Sequence, residues 1–395
     1  MSNRDEQPFR FACEECGSAI DIDVKKGGKS EFNGASEVVP SLYPFDDKTN
    51  FVDLHLDFPV VFGKYVPGIT PFMAALDRIG LDKMRFHNAR LNFLNSQAFR
   101  FGSFKSLLNL YATKKFEIFK TNCRDHFDRN VNSSRPEYIA AALYGIISEI
   151  MMPFGFYQTE MSESELICYK LQYIKRNNRA ALLSFVERVL ANDFLIRAQN
   201  DCLGVYPRIL DAELALRPVL FLDLDDGFRD KSIPMRISSV AFESYRDLYK
   251  DISEIVSRQL VFVAGVNNLL KRGDHNKFKP ASSGTRAPRN LAAFADVALG
   301  SKADFIDDDW FNVARESAID NHLRNAIAHH KTEYDTIKQI ITYYPVLDGM
   351  DNQRREQISL VQFMRRLLLA YREMHRFQQL TKCIFFTRYL SFPTL

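Results

Sequence analysis

A chain of 395 residues lies well above the usual size of one domain, so two or three domains and a sizeable core are expected. Its 46% apolar and 26% charged residues are the proportions of a soluble globular protein, and no run approaches the roughly 18 apolar residues that span a bilayer, which argues against membrane insertion. A formal net charge of +3 is too small to make the whole chain a nucleic-acid binder, so any such surface must be local. The polar start, Met1 to Gln7, lacks the apolar core of a signal peptide, and a cytoplasmic protein is expected. The six cysteines make one close pair and four scattered singles, which is no disulfide framework; Cys123, Cys168, Cys202 and Cys383 read as small buried hydrophobes in a reducing compartment.

In chain order, Cys13-Glu14-Glu15-Cys16-Gly17 resembles one knuckle of a zinc ribbon, with Gly17 tolerating the turn and the alternating Ile20, Ile22 and Val24 predicting a strand that leaves it. Zinc needs four ligands, and no second Cys-x2-Cys follows. Cys123-x2-His126 has ligand-like spacing but lies more than 100 residues further on. A structural zinc at Cys13 and Cys16 and a degenerate knuckle without metal both stay open. Lys25 to Asn50 reads as a loop ending in the turn-prone Tyr43-Pro44-Phe45-Asp46-Asp47. Period-two alternation from Phe51 to Phe58 predicts a strand, and a second apolar run, Val60 to Gly63, is bounded by Pro59 and Pro67.

From about Pro71 the apolar residues recur at helical intervals, and helices are expected through 136–152, 162–176, 178–196 and 208–216, punctuated by Pro153, Asn177-Asn178 and Pro207. No solenoid period is evident. Asp223-x-Asp225, after an apolar run read as a strand, resembles the first motif of haloacid-dehalogenase-like phosphotransferases. The alternating β/α pattern such enzymes need is missing, so the segment reads as an interdomain turn. A long helix from Ser238 to about Lys271 is followed by a polar stretch, Arg272 to Arg289, read as a mobile basic loop. Short helices over Leu291–Leu299 and Phe311–His330, a short extended or helical piece over Tyr334–Tyr344 and a last helix over Gln353–Leu390 complete the chain.

The one stretch with specific chemistry is Asp320-Asn321-His322-Leu323-Arg324-Asn325-Ala326-Ile327-Ala328-His329-His330. Arg324 is a permanent cation with a planar fork of donors suited to phosphate oxygens, and His329 can exchange a proton near neutral pH, so the pair suits a phosphodiester. At about 100° per residue, Asn325 and His329 lie about 40° apart on one face while Arg324 and His329 differ by roughly 140°. The two converge on one ligand only across the rim of a groove, whose other wall is met most simply by the same segment of a second subunit, giving one imidazole as base and its mate as acid. The competing structural reading pairs Arg324 with Asp320 and leaves the histidines to cap the helix end. The small apolar Ala326, Ile327 and Ala328 favour a packed seam beside the polar groups.

The pattern Arg324-Asn325-x3-His329 resembles the signature of the HEPN family (higher eukaryotes and prokaryotes nucleotide-binding domains), with His330 where that family often has a small residue. The resemblance covers about the last 160 residues. It implies a four- or five-helix bundle that dimerises through the motif helices. It also implies a metal-independent RNase, without a catalytic cofactor, in which Arg324, Asn325 and His329 are catalytic; whether His330 joins the site stays open, and it is a candidate RNA contact. A family protein of this size looks like an anti-phage, toxin or abortive-infection effector that damages tRNA or other RNA; the alternative is a non-catalytic nucleotide- or partner-binding dimerisation protein. From Arg354 to Arg388 eight Lys/Arg face two acids, and Arg365, Arg366, Arg372 and Arg376 are expected either to line the RNA groove or to form a solvated face. The expectation is therefore a mainly α protein. Its parts are an N-terminal β and knuckle-like segment (1–70), a helical sensor or targeting region (71–234) and a HEPN-like bundle (235–395), acting on RNA as a homodimer or higher oligomer.

Overall fold

The computed structural model describes residues 6–27, 29–39, 49–62, 65–155, 160–228, 234–239, 241–280, 286–307, 318–345 and 354–394, with the backbone alone at 160–162. The expected turn at 43–47 and the first part of the expected motif helix, 311–317, lie outside these residues. Antiparallel pairing opens the chain: β1 (Gln7–Ala12) passes through the Cys13–Ser18 turn into β2 (Ala19–Val24), and β3 (Ser30–Asn33) joins the other edge of β2. The strand expected to leave the knuckle is β2. Arg10 and Asp21 stand opposite one another in the register, and their side chains close an ion pair of 2.5 Å.

No strand forms at 51–58. His55 through Val60 are all buried, so the side chains of both parities point inward and the alternation does not separate a wet face from a dry one. Pairing resumes only at β4 (Val60–Val61). Helices follow. Thr70 caps α1 (Pro71–Ile79) by accepting from the Met73 amide, with Pro71 in the first turn. Gly80, at φ 80, ends α1 and leads into α2 (Leu81–Gln97).

Next come α3 (Phe101–Ala112), α4 (Phe116–Phe127) and α5 (Pro136–Met151), the last ending one residue before a short 3-10 turn that holds Pro153, as expected. α6 (Glu160–Asn177) and α7 (Arg179–Leu190) meet at Asn178, whose side chain caps α7 through the Ala181 amide at 3.1 Å. Asn192 and Asp193, both left-handed, break the expected 178–196 helix before α8 (Phe194–Asp211). Pro207 lies inside α8, and Pro218 inside α9 (Glu213–Phe221). The lost backbone hydrogen bond and the ring's steric cost are tolerated because the flanking Tyr206, Ile209, Val219 and Leu220 are buried. The apolar run before Asp223 is thus the end of a helix, not a strand.

β5 (Met235–Arg236) pairs with β4, and the long helix α10 (Arg246–Arg272) begins several residues later than Ser238. Then come α11 (Leu291–Ala295), α12 (Leu299–Lys302) and α13 (Asn321–Ala328). The three antiparallel strands β6 (Thr332–Asp335), β7 (Ile340–Tyr343) and β8 (Glu356–Ser359) precede the 32-residue α14 (Leu360–Ser391). The extended alternative for 334–344 holds, and the last helix starts at Leu360 because Ile358 is paired with Ile341 in the sheet.

The chain is mainly helical and folds into two compact units, the first drawing residues from all three sequence segments and the second from 71–234 and 235–395. One comprises Met1–Ala98, Asp211–Asp247 and His322–Leu368, the other Phe99–Leu210, Leu248–Asn321 and Leu369–Leu395. Within the first, the side-chain amide of Gln339 exchanges two 2.9 Å hydrogen bonds with the Ile237 backbone, as a strand partner would. Within the second, α10 buries most of its length. A methyl at Gly265 would collide with the ring of Phe185, so α7 and α10 meet only because that position lacks one. Gln259 donates to the Met374 carbonyl at 3.0 Å and Tyr206 shares a 2.9 Å hydrogen bond with His375, satisfying polar groups inside the core. Among the described residues no helix is long and apolar enough to cross a membrane.

Candidate functional site

α13 is amphipathic: Leu323, Ala326 and Ile327 are buried, which leaves Arg324 and Asn325 half-buried at the flank and His322 exposed. Arg324 Nη1 donates to Asn325 Oδ1 at 2.8 Å, so guanidinium and amide are held together at the helix surface. His329 follows one turn after Asn325, its amide bonded to the Asn325 carbonyl at 3.0 Å, and its side chain is exposed. The helix then closes. The His330 amide reaches the Ile327 carbonyl (3.2 Å) and the Lys331 amide reaches Ala326 (2.8 Å), a Schellman pattern in which His330 takes the left-handed position at φ 56. His330 therefore does the conformational job usually given to glycine, and the turn delivers the chain into β6.

The motif borders a charged edge. His322 Nδ1 and Glu356 Oε1 are 3.2 Å apart, and Arg354 Nη2 approaches the same oxygen at 2.8 Å. Glu356 begins β8, so the sheet places a carboxylate between an imidazole and a guanidinium.

The expected arginine stripe is arranged otherwise. Arg365 donates to Asp223 Oδ1 at 2.5 Å and to the Val219 carbonyl at 3.1 Å. Arg372 is only 3% exposed and donates Nε to the Phe154 carbonyl at 2.7 Å. Arg376 pairs with Glu373 at 2.7 Å and lies over the Phe377 ring, while Arg366 is half-buried. These residues form no exposed stripe. α14 is buried on nearly every side, so its cations need partners inside the protein. Arg324, Asn325 and His329 belong to the first unit, as do Arg365 and Arg366, whereas Arg372 and Arg376 belong to the second.

Part of the basic stretch after α10 is also engaged, while Lys277, Arg286 and Arg289 are exposed. Arg272 pairs with Asp307, Lys279 donates to the Ile306 carbonyl at 3.2 Å, and Phe278 stacks on Phe294 at 5.1 Å. Partial burial works to raise the Asp307 pKa, but hydrogen bonds from Arg272 and Asn267 hold it below the usual carboxylate range.

Asp223, Asp225 and Asp226 are similarly spoken for. Arg90 and Arg365 hold Asp223, Arg78 holds Asp225, and Lys83 holds Asp226 at 2.5 Å. The acids expected to mark a turn are the hub through which α1, α2 and α14 grip the end of α9.

The Cys13–Ser18 turn has the form of a knuckle. The Gly17 amide bonds to the Cys13 carbonyl at 2.9 Å, Gly17 sits at φ 72, and hydrogen bonding with Ser18 and Cys13 lowers the Cys16 thiol pKa. Among the described residues, Arg236 bonds to Glu14 at 2.8 Å, Asn50 bonds to Glu15 at 3.4 Å and Ile337 approaches Gly17; none of the three is a zinc ligand. Cys123 belongs to the other unit, buried, with its thiol pushed up to about 12 by desolvation, while His126 is exposed. Among the described residues no three His, Cys, Asp or Glu side chains converge as metal ligands.

Sequence reading misses a second polar concentration in the first unit. Arg217 is fully buried; its Nη1 reaches Asp57 at 2.9 Å, Nε reaches Glu213 at 2.6 Å, and Nη2 reaches Asn95 at 2.5 Å. The Asp57 amide donates to His55 Nδ1 at 3.0 Å, and His87 Nε2 bonds to the Asp57 carbonyl at 3.2 Å. Burial pushes both histidines down to about 4, so they are neutral at pH 7. The available signal is Arg217 itself, a cation inside the apolar run Leu214 to Phe221.

No protein-family model matches the chain, and no curated protein or solved structure matches it significantly.

Proposed function

We propose that the chain is a metal-independent endoribonuclease whose chemistry is carried by Arg324, Asn325 and His329. The observation that supports this is the 2.8 Å contact between the Arg324 guanidinium and the Asn325 amide, one turn before an exposed imidazole. A cation with several donors suits the non-bridging oxygens of a phosphodiester, and an imidazole suits the proton transfers.

In this reading the ribose 2′-hydroxyl attacks its own phosphorus. The bond from O2′ to phosphorus forms, the bond from phosphorus to O5′ breaks, and the products are a 2′,3′-cyclic phosphate and a 5′-hydroxyl. His329 takes the 2′-hydroxyl proton or, when protonated, supplies one to the departing O5′; a second copy of the chain contributes the complementary imidazole. Arg324 stabilises the extra charge on the phosphorane, and Asn325 holds the guanidinium in place or an oxygen of the substrate. The resemblance to HEPN proteins supplies the setting: tRNA or other cellular RNA as substrate, and anti-phage defence as the role.

The test is incubation of the purified protein with total tRNA in EDTA, followed by sequencing of the fragments. Cuts ending in a cyclic phosphate are expected from the natural chain and not from Arg324→Ala or His329→Ala. Nucleotide binding without cuts would replace the enzyme with a non-catalytic binding module, and cleavage undiminished in both variants would remove these residues from the site.

A further inference from the structure

Two cysteines that the sequence separates by 215 residues meet in the second unit. Cys168 on α6 and Cys383 on α14 have their Sγ atoms 3.5 Å apart, with Cys168 exposed and Cys383 buried. Lys382, adjacent to Cys383, donates to Ser164 at 3.2 Å and to Gln379, so an ammonium stands beside the thiol pair. An exposed thiol next to a cation and in contact with a second thiol has the surroundings of a redox-active cysteine rather than of a core hydrophobe.

We propose that Cys168 and Cys383 form a peroxide-responsive dithiol that oxidises to an intramolecular disulfide joining α6 to α14. The Cys168 thiolate attacks one oxygen of hydrogen peroxide; the O–O bond breaks, hydroxide leaves, and Cys168 becomes a sulfenic acid. Cys383 sulfur then attacks the Cys168 sulfur, its thiol proton leaves with the sulfenic hydroxyl as water, and the disulfide forms. Two thiols and one peroxide give one disulfide and two waters. The hydrogen bond donated by Cys383 brings the Cys168 thiol down to about 6, opposed by partial burial and helped by Lys382, so Cys168 is the thiolate at neutral pH. The same hydrogen bond and burial push Cys383 up and keep it protonated. Bond formation needs about 1.5 Å of approach between the sulfurs, within the reach of two side-chain rotations. The proposal is independent of the RNase reading.

The other cysteines differ. Cys123 and Cys202 are buried with their thiols pushed up by desolvation. The Cys13 and Cys16 pair is the internal rival, since Cys16 is exposed and close to Cys13.

The full chain, reduced and then titrated with hydrogen peroxide, is digested without reductant and its peptides are weighed. The expected result is a linked Cys168–Cys383 peptide pair, reversed by dithiothreitol. Cys383→Ser should instead accumulate a dimedone-trapped sulfenic acid at Cys168, and Cys168→Ser should leave Cys383 reduced. In the unmodified chain, iodoacetamide at pH 7 should label Cys168 about tenfold faster in the folded than in the urea-unfolded state. A link at Cys13–Cys16 alone, over-oxidation of Cys168 without any link, or equal labelling of folded and unfolded Cys168 would overturn the proposal.

Discussion

Arg324 and Arg217 each hold an asparagine side chain, and each stands near histidines, yet the two clusters do opposite things. Around Arg217 the guanidinium is fully buried, two carboxylates and an amide meet its nitrogens, and neither neighbouring imidazole is charged at pH 7. Around Arg324 the guanidinium is half-buried beside the Asn325 amide, and an exposed imidazole follows on the next turn. The same residue types therefore make a closed structural knot in one place and an open set of groups in the other. Accessibility, more than residue identity, separates the Arg217 cluster from the set proposed to act on RNA.

The widest separation is expected in stability. Arg217→Met would leave Asp57 and Glu213 buried without their cation, a loss of about 3–5 kcal/mol, whereas Arg324→Met, at a half-buried position, should cost less, about 1 kcal/mol. Urea unfolding of the two variants measures the gap, and equal costs would mean that the Arg217 cluster is not closed. Activity should separate in the reverse sense. Removing the Arg324 guanidinium or the His329 imidazole should lower RNA cleavage by about 10²–10³ with the unfolding midpoint little changed, and single-turnover rates on a cut tRNA check this directly.

The pH response sharpens the contrast. His55 and His87 are held down to about 4 in the fold, principally by burial, against about 6.5 in an unfolded chain. Between those values the unfolded state binds the extra protons. Stability is therefore fully present above about pH 6.5 and falls toward pH 4, by roughly 1.4 kcal/mol per pH unit for each histidine. Urea midpoints at pH 7 and 4.5 should show this loss, and His87→Gln should flatten it. An unchanged slope in that variant would assign the acid sensitivity to other groups.

Legibility in the sequence follows the range of the interactions. The α5 end at Pro153, the α6–α7 junction at Asn178 and the knuckle turn at Gly17 are dictated by one or two residues and can be read locally. Pro207 misleads because burial of its neighbours outweighs a local penalty. The four residues of β8 are too few to stand out from the helical pattern that follows, and their partner strand β7 ends 13 residues upstream. Spacing puts Arg365 and Arg372 on neighbouring positions of a helix, but whether that face meets water depends on Asp223 and Phe154, more than 100 residues away in sequence. Arg324, Asn325 and His329 stand out because they lie within six residues at one helix end, whereas Arg217, Asp57 and Asn95 are brought together only by the fold.

His330 gives the smallest expected effect and the most direct separation of backbone role from chemistry. Its φ of 56 lies where an L-residue is disfavoured by about 1–2 kcal/mol relative to glycine, and the Lys331 amide to Ala326 carbonyl bond of 2.8 Å requires that conformation. His330→Gly should therefore raise stability by about 1 kcal/mol, partly offset by the greater freedom glycine has when unfolded. Because the turn persists, His329 keeps its position one turn after Asn325, and cleavage should remain at the natural rate. A more stable His330→Gly protein with RNA cleavage reduced tenfold or more would move His330 from the turn into the chemistry, and with it the proton carried by its ring.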